Sequence, residues 1–132
     1  MDSYLVELHT PLVAPGDSVF HIVTEKNIQI DLVKSSNKNH RTTLLKANLT
    51  MKQSDSILNV LENLHLDTLD RIKKSKYIQF NSNSLLILRG NRFSDKNIMI
   101  YGQGPASIDS LWHLVYGMLP KEKIESITTY LK

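Results

Sequence analysis

The chain contains no cysteine, so disulfide bonds, thiolate nucleophiles and cysteine-based zinc sites are excluded from the start. Stability must come from packing, hydrogen bonds or a partner. No apolar run is long enough to cross a bilayer, and the opening MDSYLVELHTPLV carries an acid where a secretory leader would carry bases. The expected location is cytoplasmic or nuclear, and the Asn48-Leu49-Thr50 sequon is then read as unused. Charge of one sign is also scarce: the net charge is +3 over 132 residues, with lysines spread along the chain. Repeats, low-complexity tracts and linker-like stretches are absent, and 132 residues match one domain able to build its own core.

What is there is apolar alternation. Tyr4, Val6 and Leu8 fall on one side of a strand; Val19, His21 and Val23 oppose Phe20 and Ile22; Ile28, Ile30 and Leu32 oppose Gln29 and Asp31; Leu45, Ala47, Leu49 and Met51 oppose Lys46, Asn48 and Thr50. Four strands follow from this period. The breaks at Pro11 with Pro15-Gly16-Asp17, at Glu25-Lys26-Asn27 and at residues 35–39 carry turn chemistry, and spacers this short favour antiparallel neighbours.

The period changes at Ser54-Asp55, read as an N-cap pair, and Ile57, Val60, Leu61 and Leu64 then recur at helical spacing, predicting a helix over much of 55–74. Tyr77 to Phe80 is read as a short strand and residues 81–84 as a turn. Leu85 to Leu88 is apolar on both faces, as a strand inside a sheet would be, and Ile98 to Tyr101 is another strand. After Gly102-Gln103-Gly104-Pro105, Ser107 is expected to cap a helix carrying Ile108, Leu111, Trp112, Val115 and Leu119 on one face, with Pro120 ending it and a last short helix beyond. The predicted fold class is α+β: one domain over 1–132, an antiparallel β-sheet meander with two main helices packed on it.

Chemistry is thin. The Gly102-Gln103-Gly104 corner lacks the third glycine of a dinucleotide fingerprint, Ser107 standing in its place, and no parallel βαβ unit surrounds it. His9, His21, His40, His65 and His113 never pair at i,i+4 or join acids at metal-ligand spacing. No catalytic, metal or cofactor residues are therefore nominated, and the expectation is a protein without enzymatic activity or cofactor. Arg71, Lys73, Lys74 and Lys76 form the densest basic group. It is read first as a solvated helix end and second as a phosphate-binding patch, which with Lys34, Lys38 and Arg41 would make a small nucleic-acid-binding module. Dispersed Ser, His and Asp residues assembling into a small enzyme are a third reading. The strands at 19–23, 85–88 and 98–101 are together too apolar for a sheet with one fully wet face, so a protein partner is expected. The surface residues proposed to meet it are His21, Ile98, Ile100, His113 and Tyr116.

The order of four strands, a helix, a strand pair and a closing helix resembles the small proteasome assembly chaperones. The residues that carry it are Arg41-Thr42-Thr43-Leu44-Leu45, then Lys96 to Tyr101 followed by Ser107 to Leu119, within matching elements that span roughly residues 3 to 119. The resemblance implies a heterodimerising scaffold that pairs with a related subunit and docks on a proteasome α-type subunit, with no membrane association. The longer first helix and the tail after Pro120 depart from the smaller members of that family.

Overall fold

Alternating apolar residues become strands because a period of two puts every second side chain on the same sheet face. The structure, a computed structural model, describes residues 3–11, 17–34, 37–63, 83–92, 95–101 and 106–125, and within these the side chains of 37–39, 83–84, 98–101 and 106–109 lie outside the description. Four consecutive strands, β1 (Tyr4–Pro11), β2 (Ser18–Thr24), β3 (Asn27–Lys34) and β4 (Asn37–Asn48), form an antiparallel meander. The tight β2–β3 turn is held by Thr24 Oγ1, which accepts from the N–H groups of Lys26 and Asn27, both at 3.2 Å. A hairpin of β5 (Asn83–Gly90) and β6 (Lys96–Tyr101) adds to the free side of β1, giving the order β4-β3-β2-β1-β5-β6 with every neighbouring pair antiparallel.

The link from β4 to β5 must pass four strand spacings, roughly 19 Å, which no tight turn can do. The helix α1 (Met51–Glu62) begins that crossover, and α2 (Ala106–Gly117) follows the hairpin. Both lie on one face. Tyr4, Val6, Val19, Val23, Ile28, Ile30, Leu45, Leu86 and Leu88 from the strands share a single core cluster with Ile57, Leu58 and Leu61 of α1 and with Leu111, Val115 and Leu119 at and beyond α2. The helix residues recur at three- and four-residue intervals, which brings them onto one side of each helix. A hydrogen bond from the Tyr4 hydroxyl to the Ser54 carbonyl, 3.0 Å, ties β1 to α1 across this core.

The α+β class and the antiparallel meander predicted from alternation are those observed. Several boundaries differ. The N-cap of α1 is Thr50, not Ser54: its side chain accepts from Gln53 N at 3.1 Å while Gln53 Oε1 accepts from Thr50 N at 2.9 Å, a complete capping box. Leu49 and Met51 continue the apolar alternation of β4 in sequence, but the strand stops at Asn48 because the cap redirects the chain. The helix ends at Glu62 with Asn63 as its C-cap, and the expected continuation through Leu64, Leu69 and Ile72 lies outside the described residues. So does the strand expected at 77–80.

Asn37 already belongs to β4 and Asn83 and Ser84 to β5, where turns were expected, since pairing with β3 and β6 recruits polar residues into the ladder. Helix α2 starts at Ala106, which puts Ser107 inside the first turn rather than at the cap. At its other end Met118 and Leu119 donate to Val115 and Tyr116 carbonyls, both 3.1 Å, so the helix tightens and stops before Pro120; a further helical turn spans 121–125. The apolar run Leu85 to Leu88 is explained by position: β5 is hydrogen-bonded on both sides, to β1 and to β6.

Candidate interaction surface

Each strand has a second set of side chains, and the registers arrange them in rows across the face opposite the helices. One row reads Asn97, Ile87, Glu7, Ile22, Gln29, Lys46 from β6 to β4; the next reads Leu85, His9, Phe20, Asp31, Thr43 from β5 to β4. Leu5 pairs with Arg89 and Thr24 in the row beyond. Leu5, Phe20, Ile22, Leu85 and Ile87 are all half-buried and none belongs to the helix-covered core cluster. The apolar residues thus gather on β5, β1 and β2, with Arg89, Asn97, Gln29, Lys46, Thr43 and Arg41 around them. The face thus has an apolar centre and a polar rim.

The polar groups of this face are organised rather than merely wet. Asp31, only 2% exposed, accepts from Gln29 Nε2 at 3.0 and 3.1 Å on its two carboxylate oxygens and from Thr43 Oγ1 at 2.9 Å. The Arg41 guanidinium stands 3.9 Å from the same carboxylate and 4.6 Å from the centroid of the Phe20 ring. A register shift between Ile30 and Asp31 brings Thr43, not Leu44, opposite Asp31, and so creates this network. On the other side of Phe20 the His9 ring stacks at 3.7 Å with an interplanar angle of 7°, and its Nε2 lies 3.4 Å from Glu7 Oε2. Phe20 is therefore held between a histidine and an arginine. Such ring and cation contacts add to burial and fix the ring's orientation.

The residues nominated from sequence fall elsewhere. His21 is not at the surface: it is 6% exposed and points into the helix-covered core. There its Nε2 hydrogen-bonds the Tyr116 hydroxyl of α2, and the Trp112 ring lies 5.5 Å away. Alternation predicted the correct side of β2, together with Val19 and Val23, but not that α2 would supply a hydroxyl there. Tyr116 is half-buried by the same contact instead of standing free. Burial pushes the His21 pKa down to about 4 and the Tyr116 pKa up to about 12. His21 Nδ1 and Trp112 Nε1 are buried without a hydrogen-bond partner among the described residues, so an imidazolium at this position would carry an unaccepted N–H.

His113 is exposed on the far side of α2. Ile98 and Ile100 pair in register with Leu86 and Ser84, and their side chains are outside the description. Arg71, Lys73, Lys74 and Lys76 lie outside the described residues, and the basic patch has no structural placement. Of the nominated side chains within the description, His21, His113 and Tyr116, the structure joins His21 to Tyr116. The residues missed by sequence reading, Leu5, Phe20, Ile22 and Ile87, carried a signal all the same: they are the apolar members of the supposedly wet half of each alternation.

Among the described residues no group of three or more His, Asp or Glu side chains is arranged to hold a metal ion. No helix among them is long and apolar enough to cross a membrane. The fold and this surface define a single-sheet α+β domain with helices on one face and a partly apolar second face. Compared with protein-family models, curated proteins and solved structures, the chain matches none of them.

Proposed function

We propose that this protein is a non-enzymatic protein-binding subunit whose sheet face opposite α1 and α2 packs against a related subunit. In this reading it works in the cytoplasm or nucleus as an assembly chaperone, the pair docking on a proteasome α-type subunit. The observation that supports it is the set Leu5, Phe20, Ile22, Leu85 and Ile87 on a face that neither α1 nor α2 covers. A sheet with one solvated face ordinarily alternates apolar with polar residues, and β2 and β5 do not. Burying five large side chains between two sheets would supply on the order of 1 kcal/mol for each, since each is already half-buried and burying a fully exposed one is worth about 1.5–3 kcal/mol. The satisfied Asp31 network and the Phe20 sandwich would give such a contact a defined register without any cofactor.

Size-exclusion chromatography with light scattering tests the reading, on the chain alone and after mixing with purified proteasome α-type subunits. The expected result is a dimer, or a stable complex that Ile22→Asp dissolves while the monomer keeps its circular dichroism. A monomer with no affinity for any α-type subunit and no binding of a hydrophobic dye overturns it.

A further inference from the structure

A second surface lies at the end of the sheet, away from the face opposite α1 and α2. The turn between β2 and β3, the link from β4 and the first two turns of α1 enclose a cleft of 640 Å³. Its apolar lining is Leu49, Leu58 and Met51, and Met51 is 71% exposed, the single large apolar side chain so exposed among the described residues. Leu58 is 8% exposed and Leu49 is half-buried against the core, so an apolar floor rises to an open apolar lip. The walls are fixed in place. Leu49 N donates to Lys26 O at 2.9 Å, joining the β4 link to the turn, and the capping box at Thr50 and Gln53 sets the direction of α1. Met51, Asp55 and Leu58 follow one another at helical spacing along the same side of α1.

The polar part of the cleft is unbalanced in charge. Glu25 from the turn and Asp55 from α1 face it, against the single ammonium of Lys26. Both carboxylates act at one place: burial pushes the Tyr4 hydroxyl pKa up, its bond to Ser54 pulls it back, and Glu25 and Asp55 each add to the rise. Ser54, whose Oγ lies 3.0 Å from that hydroxyl, lines the cleft as well. An apolar floor with convergent carboxylates recognises an apolar body that carries a cation.

We propose that this cleft seats a segment of a partner polypeptide in which a large aliphatic side chain stands beside a lysine or arginine. The aliphatic group rests on Leu49 and Leu58 under Met51, and the cation lies between Glu25 and Asp55. The site is separate from the sheet face opposite α1 and α2, so it stands whether or not that face pairs with another subunit.

The test is methyl and amide chemical-shift titration of the full chain with the probe acetyl-Gly-Leu-Arg-Gly-amide. Control titrations replace the probe's leucine by alanine or its arginine by glutamate. The expected result is saturable shifts at Met51 and Leu58 in the millimolar range or tighter for the Leu-Arg probe alone. Asp55→Lys, an exposed site where folding is not at stake, should weaken binding about fivefold, the size of a favourable exposed charge contact, and Met51→Glu should remove the saturable shifts. Equal response to the Leu-Glu probe, unchanged affinity in Asp55→Lys, or no saturable shift at millimolar probe overturns the proposal.

Discussion

His21 on β2 and Tyr116 on α2 are 95 residues apart in sequence, yet their rings meet edge to face at 5.7 Å with planes at 71°, and Nε2 of one hydrogen-bonds the hydroxyl of the other. This contact ties α2 to the sheet. It places a titratable group where a charge cannot be solvated.

Acid should therefore weaken the fold in a defined window. The unfolded chain binds a proton at His21 near pH 6.5 and the folded chain only near pH 4, so between these values the unfolded state holds more protons. Stability from this group is fully present above about pH 6.5 and declines as pH falls towards 4, by about 3 kcal/mol in all. Urea melts across that range should show the decline, and His21→Leu should flatten it.

Breaking the pair from one side should cost more than removing both partners. Tyr116→Phe leaves His21 Nε2 buried without a partner and is expected to cost about 1–3 kcal/mol. The double variant with His21→Leu should be less destabilised than the sum of the singles, and equilibrium unfolding of all four proteins measures the coupling. Strict additivity would show that the hydrogen bond contributes nothing.

At alkaline pH the same contact should fail for the opposite reason. Tyr116 ionises near pH 10 when unfolded and near 12 when folded, so its contribution is complete below about pH 10 and is lost as pH rises through 12. Absorbance of tyrosinate, followed together with circular dichroism, should show that Tyr116→Phe removes one tyrosine from the late part of the titration, to which Tyr4, also pushed up by burial, still contributes.

The start of α1 offers a local test. Thr50→Ala removes the side chain that accepts from Gln53 N and should cost about 1 kcal/mol, whereas Ser54→Ala should leave the cap intact. Thermal melts decide between them; a larger loss for Ser54→Ala would mean that its contact with Tyr4 outweighs the cap.

On the sheet face opposite α1 and α2, Asp31→Ala should destabilise by about 1–3 kcal/mol, the net worth of hydrogen bonds to a charged acceptor, because the buried carboxylate takes bonds from Gln29 and Thr43. Lys46→Ala at the edge of the same face should change stability by less than about 0.5 kcal/mol, since its side chain is exposed. Paired denaturant melts check both.

The strands were legible because alternation is a local property: Val19, His21 and Val23 must share a face wherever the sheet lies. The cap of α1 was not, because Leu49 and Met51 extend the apolar alternation of β4, and only the hydrogen bonds of Thr50 and Gln53 show the chain leaving the strand. Nor could the apolar centre of the face opposite α1 and α2 be read directly. Phe20 and Ile22 were plain members of an alternation, and their significance depends on which face the helices occupy.

Spacing along the chain was thus enough for the class, the meander of the first four strands and the side of each of those strands that carries Val6, Val19 and Ile30. The fold as a whole was needed to show that β5 pairs with β1, that α1 and α2 take the same face, that the side of β5 carrying Leu86 is the covered one, that His21 is buried against Tyr116 and that Phe20 lies between His9 and Arg41. Those relationships join residues far apart in sequence, and packing competition over the whole domain selects them, not any local preference.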